Sequence, residues 1–192
     1  TQLNKVERVS KVGRKSRENA FRIAIVGYTN AGKSSLFNLL CKENIYVEDK
    51  LFATLDTHTR KLYLSNDAPV QVIISDTVGF IDRLPHTLIA SFKSTLSEVV
   101  EADLLIHLID SSDKNIEEKI IKVENTIKEI GASEIKSLSV FNKIDCIDEI
   151  QKNKIQILYN NPIFISAKNN INIENLRKII LNTILELNKV EY

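Results

Sequence analysis

The sequence predicts an α/β fold in which a mainly parallel six-stranded sheet carries helices on both faces. Three observations support this. From Phe21 onward, apolar runs of strand length alternate with segments of helical period, and a glycine-rich loop joins the first run to the first helix. The chain's 192 residues are also enough to bury the core of one such domain, with little left for a second. Strand–helix alternation requires crossover connections, and crossovers cover both faces of parallel strands.

The elements can be taken in order. Residues 1–19 are basic: Lys5, Arg8, Lys11, Arg14, Lys15 and Arg17 stand against Glu7 and Glu18, while Leu3, Val6, Val9 and Val12 recur every third residue. This predicts a short amphipathic helix, either a connector with solvated charges or a contact for RNA phosphates. FRIAIVG (21–27), TRKLYLS (59–65), VQVIISD (70–76), LLIHLID (104–110), SLSVFN (137–142) and IFIS (163–166) read as strands. KSSLFNLLC (33–41), LIASFKSTLSEVV (88–100), IEEKIIKVENTIKEI (116–130), a weaker segment at 148–158, and IENLRKIILNTILEL (173–187) read as helices. The last of these shows apolar positions at helical spacing and most simply packs on the sheet. The expected division is an appendage, 1–19, and a main domain, 20–192.

Composition excludes several classes. Lys and Arg total 26 against 25 Asp and Glu, a net charge of +1, so bulk charge names no polyanionic partner. Cys41 and Cys146 form no metal or disulfide spacing and suit a reducing cytosol as ordinary thiols. No apolar stretch approaches the roughly 20 residues of a membrane span, and no signal peptide is seen, so a cytoplasmic chain is expected. It opens on Thr1 and contains no Met. The chain is therefore expected either to be a piece of a longer protein or to lack some residues in this numbering.

Gly27-Tyr28-Thr29-Asn30-Ala31-Gly32-Lys33-Ser34 matches GxxxxGK[ST] between a strand and a helix. In that context the glycines let the backbone wrap phosphate oxygens, the helix N-terminus supplies partial positive charge, and Lys33 neutralises β and γ oxygens. Ser34 is expected to place its hydroxyl on Mg²⁺, with Ser35 beside it. Asp76-Thr77-Val78-Gly79 ends a buried-type strand as DxxG. It puts Asp76 near the metal through a water and the Gly79 amide within reach of the γ-phosphate. Between these, LFATLDTHTR (51–60) offers Thr54, Thr57 and Thr59 to the metal and γ-phosphate, and Thr54 is the expected one.

Asn142-Lys143-Ile144-Asp145 has the form NKxD after a strand. A carboxylate at Asp145 accepts both the N1–H and the exocyclic amine of guanine, a donor pair that adenine lacks. Asn142 is expected to tie this loop to the phosphate loop and approach N7, and the Lys143 stem to pack on the base. Ser166-Ala167-Lys168 closes the last strand, with the Ala167 amide placed to donate to guanine O6. The predicted chain is thus a guanine-nucleotide-binding P-loop G domain acting as a GTPase, with GTP or GDP and Mg²⁺ as its cofactors.

GYTNAGKSS, LFATLDTHTR, DTVGFIDRLPH, NKID and SAK together resemble the GTPase domain of the HflX family, ribosome-associated GTPases. The similarity runs from about Phe21 to Lys168, and DTVGFI followed by LPH is its most specific part. By resemblance, 1–19 is the end of a helical region that precedes the GTPase domain. The full protein would bind rRNA and protein of the large ribosomal subunit and split or rescue ribosomes. Association with ribosomes and, peripherally, with a membrane is expected without a span, and the fragment is expected to be monomeric. His58 and Ser35 depart from the family pattern, His58 standing where a threonine or another small residue is usual and Ser35 where a threonine is.

For mechanism, Lys33, Thr54 and Gly79 are the expected catalytic positions. The residue after DxxG is a glutamine in GTPases of the small signalling type, where it orients the attacking water. Here it is Phe80, which cannot hold or deprotonate water. Slow intrinsic hydrolysis, raised when a large partner orders the switches, is therefore expected. Resemblance to related GTPases that have a hydrophobic residue after DxxG and an asparagine at the position of Asn30 implies a second device, a K⁺ held against the phosphates to neutralise developing charge. His58, His86 and His107 form no nucleophile–base–orienter set, and His107 is expected as a core or face residue of its strand. A GTP/GDP-sensing module with little turnover, and a related GTPase serving membrane transport or tRNA modification, are the alternatives.

Overall fold

In the computed structural model, residues 20–41, 58–64, 70–77, 79 and 96–189 are described. The strands are β1 (Phe21–Val26), β2 (His58–Tyr63), β3 (Gln71–Asp76), β4 (Leu104–Asp110), β5 (Lys136–Asn142) and β6 (Ile163–Phe164). They form one sheet in the order β2-β3-β1-β4-β5-β6. β2 and β3 pair antiparallel, whereas β1–β3, β1–β4, β4–β5 and β5–β6 pair parallel. The helices are α1 (Lys33–Cys41), α2 (Ile116–Glu129), α3 (Glu149–Leu158) and α4 (Ile173–Lys189), with a 3₁₀ turn at Ile144–Cys146 and a short helical stretch at 96–100.

Period-two alternation in the strands explains why both faces are covered. In β1, Ile23 and Ile25 enter one core with Leu36, Phe37 and Leu40 of α1 and Leu176, Ile180 and Ile184 of α4. Ala24 and Val26 enter the opposite core with Val99, Val123 and Ile127. Leu104, Ile106 and Leu108 of β4 join the first core, Leu105 the second, and Ile109 packs with Ile116, Ile120, Phe141 and Ile155. Along α2, the buried positions Ile116, Ile120, Val123 and Ile127 follow the 4-3-4 spacing of a single helix face. Asp148 caps α3, its side chain accepting from the Gln151 amide at 2.8 Å.

Sequence and structure differ at boundaries. β2 begins one residue earlier than expected, at His58, and α4 extends two residues further. β6 has two residues, not four, because the chain folds back after it. Ser166 bridges Ile171 in both directions, at 3.2 and 3.0 Å, so Ser166 belongs to a tight loop. The expected basic helix at 1–19 and the first part of the expected helix at 88–100 lie outside the described residues.

Every site-bearing loop lies at the carboxyl ends of β1, β3, β4, β5 and β6. That is where ligands bind in open α/β sheets.

Candidate nucleotide site

The phosphate loop turns directly off β1, where Gly27 is pressed on β4. A Cβ there would stand 2.2 Å from the Leu108 carbonyl oxygen, so only glycine allows this approach. At the other end of the loop, Gly32 has φ +93, and a Cβ would meet Asn142 Nδ2 at 2.5 Å. Asn30 takes the left-handed conformation at φ 61 and is exposed, while Thr29 and Ala31 are buried. Lys33 opens α1 and is buried, donating to the carbonyls of Gly27 at 3.3 Å and Tyr28 at 3.0 Å. Burial lowers its pKa to about 8, and the charge of Asp76 pulls it partly back up.

Ser34 Oγ donates to Asp76 Oδ2 at 2.7 Å, joining the first turn of α1 to the end of β3. Ser35 stands beside it on α1, half-buried. Thr77 is buried and donates to the Ile25 carbonyl at 2.6 Å, which fixes the start of the DxxG turn on β1. Gly79 packs against the phosphate loop: a Cβ would fall 2.8 Å from Thr29 Cα and 3.0 Å from Lys33 Nζ. Thr54, Thr57, Phe80 and His86 lie outside the described residues. Thr59 is a strand residue of β2 at 3.2 Å from the Ser75 hydroxyl. His107, read from sequence as a core or face residue of its strand, is buried in β4; burial and the Lys33 charge lower its pKa to about 4.

On the base side, Asn142 is the hub. Buried at the end of β5, it donates from Nδ2 to the Ala31 carbonyl at 2.8 Å and accepts at Oδ1 from the Ala167 amide at 2.9 Å. It thereby holds the phosphate loop, NKxD and SAK together. The amide of Ala167, expected on guanine O6, thus has an internal acceptor, because the buried Asn142 carbonyl needs a donor. Lys143 is left-handed at φ 64, and its Nζ lies 2.7 Å from Asp110 Oδ2. Asp145 is exposed. A hydrogen bond from the Ser166 hydroxyl, more than any other contact, holds its carboxyl below the usual range. Cys146 Sγ lies at 3.5 Å from Asp145 Oδ2, and Lys168 is exposed beside the loop.

Two contacts were missed from the sequence, Asp110 on Lys143 and Lys119 over the Tyr28 ring at 4.5 Å. The first had a signal, a carboxylate ending a central parallel strand. The second had none, since nothing in the helical pattern of 116–129 marks Lys119.

A GxxxxGKS loop between β1 and α1, DxxG after β3, and NKxD after β5 on this strand order define the class: a P-loop domain of the G-domain type. The 50S ribosome-binding GTPase family model matches residues 22–143. The chain belongs to that family, as an HflX-type GTPase domain. GTPase HflX of Caldanaerobacter subterraneus subsp. tengcongensis is 49% identical over 158 residues, covering 82% of this chain and 35% of the relative. GTPase HflX of Escherichia coli K12 is 43% identical over 153 residues, with 79% and 35% covered. The chain thus spans about a third of the length of these two relatives. Among solved structures, a GTP-binding protein of Sulfolobus solfataricus in complex with GDP aligns at TM-score 0.68 and 31% identity, covering 94% of this chain and 58% of that one. No helix among the described residues is long and apolar enough to cross a membrane.

Proposed function

We propose that this domain binds GTP and GDP with Mg²⁺, hydrolyses GTP to GDP and phosphate, and serves as the switch of a protein acting on the large ribosomal subunit. The observation that carries this reading is the Asn142 bridge, which sets the loop suited to phosphates and the loop suited to guanine around one cleft. Gly27 to Ser34 would wrap the phosphates. Lys33 would exchange its two carbonyl partners for β and γ oxygens, and the Gly79 amide would meet the γ-phosphate. Asp145 would accept from guanine N1–H and the exocyclic amine, with Lys143 packing on the base. Ala167 N–H would reach O6 by sharing its donor with Asn142.

The donor set fits Mg²⁺. The Ser34 hydroxyl and Asp76 carboxylate meet at 2.7 Å beside Lys33, two hard oxygens of the kind this ion takes. Ser34 would hold the ion directly, Asp76 through a water, and Thr54 from the switch. When bound, Mg²⁺ neutralises charge on the β and γ oxygens. In hydrolysis, water oxygen bonds to the γ-phosphorus as the bond to the bridging oxygen breaks. Lys33 holds the charge on the transferred group while Gly79 positions it. Phe80 supplies no water-orienting group, which supports slow unaided turnover and stimulation by the large subunit. Asn30, exposed and left-handed on the phosphate loop, is available to a K⁺.

The family's 50S ribosome-binding description supports the ribosome as partner, with splitting or rescue of ribosomes by the full-length protein in the cytoplasm. Single-turnover GTP hydrolysis by the full-length protein, with and without purified large subunits, tests it. A rise of tenfold or more is expected, and an unchanged rate would sink the ribosome reading. Repeating the assay in Na⁺ and K⁺ buffers is expected to favour K⁺, and equal rates would dismiss that ion. Phe80 also favours a second reading, a GTP/GDP sensor that binds tightly and turns over in neither arm.

A further inference from the structure

A run of alternating charges links the two ends of the site through the segment that joins β4 to α2. At the base end, Asp110 Oδ2 holds Lys143 Nζ at 2.7 Å, while its Oδ1 accepts from the amide and hydroxyl of Ser112, at 3.0 and 2.6 Å. At the phosphate end, Asp113 ion-pairs with Lys119 of α2 and accepts the Asn115 amide at 2.8 Å. The Lys119 ammonium then stands over the ring of Tyr28, 4.5 Å from its centroid. The two halves touch, since the Asp113 amide donates to the Asp110 carbonyl at 3.3 Å. Burial pulls the Asp113 carboxyl up, but the Lys119 bond, the Asn115 amide and the charges of Lys119 and Lys143 outweigh it, so the group stays anionic.

Tyr28 matters because its backbone is inside the phosphate loop. Its carbonyl accepts from Lys33 Nζ at 3.0 Å and from the Ala31 amide at 3.3 Å. A ring fixed over α2 therefore fixes the peptide that Lys33 rests on. Lys143 presents the mirror case, a left-handed non-glycine residue whose side chain is held by one carboxylate.

We propose that Asp110 and Lys119 are positioning residues for the two ends of the nucleotide: Asp110 sets Lys143 for the base, and Lys119, braced by Asp113, sets Tyr28 of the phosphate loop. The proposal rests on the nucleotide-site reading above. Each would act through the residue it holds, Asp110 through Lys143 and Lys119 through Tyr28. A cation over an aromatic ring at a half-buried site contributes enough to change affinity by about 5-fold.

Dissociation of N-methylanthraniloyl-GDP from the 1–192 chain, and competition by GDP and ADP, separate the roles. Lys119→Met is expected to speed release about 5-fold and weaken GDP and ADP alike, leaving their ratio unchanged. Lys119→Arg, which keeps the cation, restores slow release. Tyr28→Leu combined with Lys119→Met should be no worse than either single change, as expected for two groups in one contact. Asp110→Asn should instead lower the GDP-over-ADP ratio about 5-fold. Multiplying losses in the double variant, no recovery with Arg, or equal ratio changes from Asp110→Asn and Lys119→Met would overturn the assignment. Should Lys119→Met fail to fold, Asp113→Asn reads the same brace, and release within twofold of the parent overturns it. No N-methylanthraniloyl-GDP binding by the parent chain would sink the nucleotide-site reading itself.

Discussion

At the phosphate end of the cleft the charged groups lie inside the protein, whereas at the base end they lie at its surface. Lys33, Asp76, Thr77 and Gly79 are buried, while Asp145 and Lys168 are exposed. The first end is made largely of backbone, with Gly27 and Gly32 allowing close approach and Lys33 resting on carbonyls. The second is made of side chains steered by other side chains, Lys143 by Asp110 and Asp145 by Ser166. The difference teaches where each end keeps its energy. A buried ammonium with its pKa lowered to about 8 is held at a cost that a phosphate would relieve. The base end carries no such strain of burial and depends on orientation.

The largest effect expected from this contrast is at Lys33. Lys33→Met removes a buried cation, so the empty domain should be as stable as the parent or about 1 kcal/mol more stable. GDP binding should fall by roughly 4 kcal/mol, about a thousandfold, as for truncation of one partner of a buried charge pair. Denaturant unfolding and calorimetric titration read the two quantities. A clear loss of stability in the empty domain would show that Lys33 is structural and break the contrast.

Next is Asn142, the one residue both ends share. Asn142→Ala leaves the Ala31 carbonyl and the Ala167 amide without their partner, at about 1–3 kcal/mol for each buried group. Both stability and GDP affinity should drop, by about 3 kcal/mol in unfolding. A variant that loses affinity at unchanged stability would mean the bridge is not what holds the ends together. Asp145→Ala, by contrast, should spare stability, because the carboxylate is exposed. It should cost about 2 kcal/mol of guanine-over-adenine preference, the range of a two-point base contact. ADP binding as tight as GDP in the parent chain would overturn the reading of Asp145.

The same contrast governs how much was legible in the sequence. The phosphate loop, DxxG and NKxD are backbone designs that demand particular residues at fixed spacing, so Gly27, Lys33, Ser34, Asp76 and Asn142 could be read directly. The six strands and the helices at 33–41, 116–129 and 173–189 followed from periodicity, because each buries a face set by local geometry. What was not legible comes from partners brought together only by folding. Asp110 and Lys143 are far apart in sequence, as are Tyr28 and Lys119; a carboxylate at the end of β4 marks Asp110 but not its partner, and nothing marks Lys119. The shortness of β6 was hidden for a similar reason, since IFIS reads as a strand until Ser166 is seen to bridge Ile171.

The smallest expected effect concerns acid, and it separates the ends by their titrating groups. His107 sits in β4 among Tyr28, Asp113 and Lys119 and feels the charge of Lys33. Burial, then Lys33, lowers its pKa to about 4, against the ordinary 6.5 in an unfolded chain. Between those values the unfolded chain holds a proton that the folded chain does not, so stability falls as pH drops from 6.5 towards 4. At pH 5 the loss from this one group is about 2 kcal/mol relative to pH 8. The Asp145 carboxyl is also held below its usual range, so its titration lies below this window and the base end keeps its charge through it. Acid should therefore weaken the support beneath the phosphate loop while leaving Asp145 charged. Unfolding measured from pH 8 to pH 5 in the parent and in His107→Gln checks this, with the variant expected to lose about 2 kcal/mol less over the range. An identical slope in both would place the acid sensitivity elsewhere and remove His107 from the account of the phosphate end.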